Sequence, residues 1–202
     1  MKTKIKVCGL KSMEDVGIMN EFLPDYCGFI IDFPSSHRSV TKQVAENLSK
    51  ELNPRIKTVG VFVNSPVEDV IELLNRGVIQ IAQLHGNEDE DYIHEVQAKT
   101  NKPVIKAIIV RDEFDVLRGK SSPADFILLD GGKGSGDVFD WNLIMDIKRD
   151  FFLAGGLGED NLKKAIQTLH PYGVDLSSSL ETDGKKDREK IQRIIKIMEP
   201  FR

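Results

Sequence analysis

Residues 57–85, "KTVGVFVNSPVEDVIELLNRGVIQIAQLH", hold the alternation on which the fold turns. The run "KTVGVFV" (57–63) is short, apolar and rich in valine, as a buried strand is. A helix start follows, with Ser65, Pro66 in the first turn and Glu68 in the capping-box position. Val67, Val70, Ile71 and Leu74 then recur every three or four residues, the stripe of a helix with one buried face. "VIQIAQLH" (78–85) is a second apolar run. Strand, helix, strand in so short a space is a βαβ unit, whose two strands lie parallel.

The same unit repeats in both directions. Further runs are "KIKVC" (4–8), "YCGFII" (26–31), "PVIKAIIV" (103–110), "DFILLD" (125–130), "FFLAG" (151–155) and "GVDLSS" (173–178), which brings the total to eight. Helix signals lie between them, among them Ser12 with Asp15 three residues on. Ile191, Ile194, Ile195 and Met198 form the stripe of a C-terminal helix. The strands are too continuously apolar to face water on one side, so an all-parallel sheet covered by helices is expected. Eight units close into a (β/α)8 TIM barrel. No linker or low-complexity tract divides residues 1–202, so a single domain is expected. A doubly wound open sheet is the rival, but "GGKGSG" (131–136) followed by Asp137 fits neither the dinucleotide fingerprint nor the P-loop.

Composition excludes several classes of function. The 202 residues carry a net charge of −4 with both signs interspersed, so neither nucleic acid nor an anionic membrane is an expected partner. Lys2, Lys4 and Lys6 interrupt the N-terminal apolar residues, and no later run reaches the ~18 needed to span a bilayer. The two cysteines, Cys8 and Cys27, give neither a disulfide framework nor a zinc spacing. A soluble protein of the reducing cytoplasm is expected. Four scattered histidines supply no cluster of metal ligands, so no metal is expected.

Barrels build their active sites at the C-terminal ends of the strands. Cys8 stands there on the first strand, Arg38 in the loop after the second, Asn64 after the third, and Gln83 and His85 on the fourth. Asp130 ends the sixth strand, Gly155 and Gly156 follow the seventh, and Asp175 to Ser179 close the eighth. The last two loops fall where barrels often hold a phosphate on backbone N–H groups.

In this order and spacing, "KVCGL" (6–10), "QLHG" (83–86), "LLD" (128–130), "GSG" followed by "FDW" (139–141), "AGGL" (154–157) and "VDLSSSLE" (174–181) resemble the ordered motifs of phosphoribosylanthranilate isomerase over nearly the whole chain. The resemblance implies a cofactor-free Amadori rearrangement in tryptophan biosynthesis, in which phosphoribosylanthranilate, an aminoaldose, becomes an aminoketose. By resemblance Cys8 is the base, Asp130 the acid and Arg38 the partner of the anthranilate carboxylate. Gly155, Gly156, Ser178 and Ser179 would hold the phosphate, while Gln83, His85 and Asp175 would line the substrate pocket. A monomer is expected in preference to a homodimer. The alternatives are another sugar-phosphate isomerase of the phosphate-binding barrels, or a non-catalytic barrel that binds a sugar phosphate and needs neither Cys8 nor Asp130.

Other residues are expected to be structural. Cys27 is core packing, His37, His94 and His170 are surface or helix-packing residues, and Asp140 and Trp141 start a sixth helix with the indole against the barrel. The chain departs from the family pattern at "GGK" (131–133), which is short, and at Ser179, where glycine is usual. The first is expected to leave the site more open. At the second, the backbone is expected to carry the phosphate contact and the side chain to be secondary.

Overall fold

The computed structural model describes residues 2–131 and 140–202. Eight strands, β1 (Lys4–Cys8), β2 (Tyr26–Ile31), β3 (Lys57–Phe62), β4 (Ile81–Leu84), β5 (Val104–Ile109), β6 (Phe126–Asp130), β7 (Phe151–Ala154) and β8 (Gly173–Leu176), each pair in parallel with the next. β8 returns to β1, Lys4 opposite Gly173 and Val7 opposite Leu176, so the sheet closes into the expected (β/α)8 barrel. The α-helices are α1 (Met13–Phe22), α2 (Lys42–Glu51), α3 (Val67–Asn75), α4 (Glu90–Thr100), α5 (Glu113–Ser121), α6 (Leu162–Leu169) and α7 (Arg188–Met198).

Side-chain alternation sorts the strands into two apolar layers. Ile5, Val7, Cys27, Phe29 and Leu129 point outward into the core beneath the helices, so Cys27 is packing. Tyr26, Val59, Ile81, Ile105, Leu128 and Phe152 fill the barrel itself. At its N-terminal end the rings of Tyr26, Phe126, Phe152 and Tyr172 meet, mostly edge to face, and the hydroxyls of Tyr26 and Tyr172 lie 2.8 Å apart. This plug seals one mouth and leaves the other for polar groups. Among the described residues, no helix is long and apolar enough to cross a membrane.

The helix signals hold with two corrections. Ser12 and Asp15 form the full capping box of α1, and Ile191, Ile194 and Met198 are buried on α7 with Ile195 packed beside them. Ser65, however, does not cap α3. Pro66 is itself the extended cap residue, which sets Ser65 one position too far out to reach the first-turn amides, and no side chain caps this helix. The described residues of the sixth unit form no α-helix. Asp140 accepts from both the backbone amide and the side-chain NH2 of Asn142 at the start of a single 3-10 turn, Trp141–Ile144, a local pairing that competes with an ordinary helix. Trp141 does pack against the core as expected. The residues 132–139, including the GSG motif and most of the short loop after Asp130, lie outside the described part.

Two small elements have no counterpart among the expected ones. Ser39–Val40 adds a short parallel stretch beside β2. Beyond β8, Glu181–Thr182 and Lys185–Lys186 pair as an antiparallel hairpin. Its turn residues Asp183 and Gly184 both have positive φ, 52° and 73°, which suits the twist of a two-residue hairpin.

Candidate active site at the C-terminal ends of the strands

Residues two apart on a strand share a face, so Cys8 brings Lys6 into the barrel with it. The Lys6 side chain is wholly buried and its Nζ lies 2.8 Å from Asp175 Oδ2 on β8. Opposite Cys8 in register stands Gly28 of β2. A Cβ at Gly28 would fall 2.8 Å from Cys8 Sγ and 3.4 Å from Lys6 Nζ, so the missing side chain is the space in which thiol and ammonium converge.

Burial lifts the Cys8 thiol above its ordinary value, against the Lys6 ammonium, which pulls it down more strongly than any other neighbour. Burial also works against the charge on Lys6, but Asp175 and Cys8 outweigh it and hold Lys6 above its ordinary value. Asp175, 2.8 Å away, is the group that supports the charge on Lys6 most strongly. Burial pushes Asp175 up in turn, with Lys6 opposing.

Across the mouth, Asp130 ends β6 with about a quarter of its side chain exposed, and its Oδ2 lies 3.5 Å from His85 Nε2. Gln83 Nε2 lies 3.0 Å from the other ring nitrogen of His85. Gln83 and Asp130 thus meet the two ring nitrogens of His85 from opposite sides. Gly155, at φ +87°, leans on the same carboxylate: a Cβ there would stand 2.8 Å from Asp130 Oδ1 and 2.5 Å from the Gly131 amide nitrogen. The glycine first assigned to phosphate is therefore also the floor beneath Asp130.

The loops after β7 and β8 adjoin one another. Asn161 ties the first together, accepting from the Gly158 amide and donating to the Gly156 carbonyl. Ser178–Leu180 form a 3-10 turn that no side chain caps, which leaves its leading N–H groups for an anion. A Cβ on Gly158 would meet Ser179 Cβ at 3.5 Å, so Ser179 faces the β7 loop. Among the described residues its hydroxyl is buried without a hydrogen-bond partner, as are Gln83 Oε1 and Asp175 Oδ1. Buried polar atoms are normally paired, so three orphans at one end of a barrel mark a place for a polyhydroxylated, anionic ligand.

Arg38 lies over the loop after β1, close enough that a Cβ on Gly9 would meet its Cδ at 2.5 Å. Its Nε and Nη2 each donate to Glu181 at 2.7 Å. Glu181 also accepts from Lys186 at 2.7 Å, and the Lys186 side chain is almost wholly buried. Asn64 braces the rim, accepting from the Asn87 amide. The structure thus gathers Cys8, Asp175, Gln83, His85 and Asp130 inside one mouth, with Arg38 and the two glycine- and serine-bearing loops around it. Lys6, Glu181 and Lys186 belong to the same constellation and were not among the candidates. Alternation from Cys8 points to Lys6, and Glu181 ends the "VDLSSSLE" motif, but their partners are distant in sequence.

The family model for N-(5'-phosphoribosyl)anthranilate isomerase matches residues 5–197. The chain belongs to this family. Phosphoribosylanthranilate isomerases of Endomicrobium trichonymphae and Clostridium acetobutylicum are 42% and 41% identical to it, over 96% and 98% of this chain and 98% and 99% of theirs. Among solved structures, the phosphoribosylanthranilate isomerase of Thermotoga maritima superimposes with a TM-score of 0.88 at 34% identity, covering 98% of this chain and 99% of that one. A phosphoribosylanthranilate isomerase in complex with reduced 1-(o-carboxyphenylamino)-1-deoxyribulose 5-phosphate superimposes at 0.86, again with 34% identity over 98% and 99%.

Proposed function

We propose that Cys8 and Asp130 carry, in this chain, the reaction of its family: the Amadori rearrangement of N-(5'-phosphoribosyl)anthranilate to 1-(o-carboxyphenylamino)-1-deoxyribulose 5-phosphate in tryptophan biosynthesis. The observation that carries the assignment is the meeting of Cys8 with a buried ammonium above Gly28, facing a mouth whose other side ends in Asp130. Asp130 gives a proton to the ribose ring oxygen, the C1'–O4' bond breaks, and the anthranilate nitrogen lone pair forms the C1'=N bond. The Cys8 thiolate then takes the proton from C2', and the electrons left behind make C1'=C2' and neutralise the iminium nitrogen. Loss of the O2' proton and protonation at C1' give the ketone.

The remaining groups bind and orient. Lys6 favours the thiolate of Cys8, which burial alone would disfavour. The unpaired Asp175 Oδ1 and Gln83 Oε1 accept from ribose hydroxyls, and His85 orients Asp130. Gly155, Gly156, Ser178 and Ser179 cradle the phosphate with backbone N–H groups, and Arg38 meets the ring carboxylate. Residues 1–202 work as one catalytic unit, a reading supported by the bond between the Thr3 amide and the Phe201 carbonyl, which draws both ends of the fold together. The free thiols Cys8 and Cys27 suit a reducing cytoplasm. A monomer is the proposed state; light scattering showing a species near 45 kDa, about twice the chain's 22.7 kDa, would exclude it.

Activity is tested by mixing the purified chain with fresh phosphoribosylanthranilate after thorough chelation and following the loss of substrate fluorescence. Many turnovers per chain are expected without added metal. Absence of turnover, or turnover that appears only after Zn²⁺, Mg²⁺ or Mn²⁺ is restored, would refute this account.

A further inference from the structure

The guanidinium of Arg38 has five N–H donors, and Glu181 engages one edge of it through Nε and Nη2. The end-on edge, Nη1 with the second proton of Nη2, makes no side-chain hydrogen bond among the described residues. Glu181 is no loose surface partner. Its side chain is 7% exposed, it is gripped from behind by Lys186 Nζ, and the Lys186 side chain is 1% exposed. Lys186 in turn donates to the Ser177 carbonyl at 3.3 Å, which ties it to the loop that closes β8. The carboxylate and the ammonium sit on opposite strands of the small hairpin, Glu181 directly facing Lys186 in register. On its other side the Arg38 stem rests on Gly9, where no Cβ could stand without displacing it.

We infer that Glu181, clamped by Lys186 on the hairpin beyond β8, is a positioning residue for substrate recognition: it holds one edge of Arg38 so that the other edge faces the carboxylate on the aromatic ring. The inference rests on Arg38 being the group that meets that carboxylate. A guanidinium on a free arginine stem samples many rotamers, and fixing it before binding removes an entropic cost that the substrate would otherwise meet. The charge balance fits as well. Arg38 and Lys186 would repel if left alone together, and one carboxylate between them leaves a net single positive charge for an incoming anion.

The test is discrimination, measured as the ratio of kcat/KM for phosphoribosylanthranilate to that for the same compound lacking the ring carboxylate. Glu181→Gln keeps the shape and removes the charge, and it should lower this ratio by ~10-fold or more, as loss of an oriented charge-assisted contact does. Glu181→Asp, which keeps the charge but shortens the reach, supplies the same readout should Glu181→Gln fail to fold. In an Arg38→Ala background, where discrimination is already lost, Glu181→Gln should change the ratio less than ~2-fold, because the two act through one contact. If Arg38→Ala lowers the ratio while both Glu181 variants keep it at the wild-type value, or lose both substrates equally, Glu181 is only a structural ion pair and the inference falls. If Arg38→Ala itself leaves the ratio intact, the carboxylate is bound elsewhere and the role given to Arg38 falls first.

Discussion

Lys6 decides at what pH Cys8 can serve as a base. Burial raises the thiol, so in the free enzyme the thiolate fraction grows with pH through and beyond the ordinary cysteine range, and kcat/KM should still be climbing above about pH 8.5. Lys6→Met removes the strongest opposing charge. The rising limb should then move to higher pH, with a loss at neutral pH that alkali partly restores; a profile with the same midpoint as wild type would show that Lys6 does not act on Cys8. Lys6 was within reach of the sequence, two residues before Cys8 on an alternating strand, but its partner Asp175 is 169 residues away and only the closed barrel joins them. Ser179 is the second residue whose chemistry emerges from packing. Its φ is not positive, so the glycine usual in the family would relieve no strain here, and its buried hydroxyl lacks a partner until an anion arrives. We propose that this hydroxyl donates to the phosphate beside the backbone N–H groups, which would give the side chain more weight than the sequence alone suggested. Ser179→Gly should raise KM by ~10-fold or more with kcat little changed, the scale of a bond to a charged group. A KM within about twofold of wild type would return the contact to the backbone.

The hairpin beyond β8 shows why small elements escape a sequence reading while long ones do not. Its Asp183-Gly184 turn is a recognisable signal, but each arm has only two residues, too few for an alternating pattern. The six residues of β2 or the stripe of α7 leave no such ambiguity. The sixth helix is the opposite case, because Asp140 does supply a cap but the described residues after it wind into only one 3-10 turn. The hairpin also has a measurable acid signature. Burial would raise the Glu181 carboxyl, yet Arg38 and Lys186 hold it down at about 2, below its ordinary 4.5. A depressed carboxylate stabilises the fold fully above its unfolded value and loses that contribution as pH falls from about 4.5 toward 2. Glu181→Gln should therefore cost about 1–2 kcal/mol near neutral pH, a figure reduced for the partly solvated Arg38, and the gap to wild type should shrink by about half near pH 3. Denaturant unfolding at both pH values checks this; a gap that does not change with pH would mean that Glu181 is not held as an anion.

At the scale of the whole barrel, the alternation seen in residues 57–85 repeats along the chain, and its eight apolar runs were enough to count the strands, since each can be read without knowing its neighbours. Closure, with β8 returning to β1, is what turns that count into a site. It sets Asp175 beside Lys6 and Ser177 against the Cys8 carbonyl, and it leaves Asp130 three strands round the ring from Cys8. The aromatic plug of Tyr26, Phe126, Phe152 and Tyr172 closes the far end, so substrate can enter only where these groups stand. The proposed catalysis depends on two proton handlers, Cys8 and Asp130, placed on different strands of one closed barrel. The most direct test is steady-state turnover of phosphoribosylanthranilate, followed by loss of its fluorescence, in the wild type, Cys8→Ser and Asp130→Asn. Each variant should keep the wild-type circular dichroism and lose ~100-fold or more in kcat, the scale of a missing positioned acid or base. A folded Cys8→Ser or Asp130→Asn chain with near wild-type kcat would contradict the account.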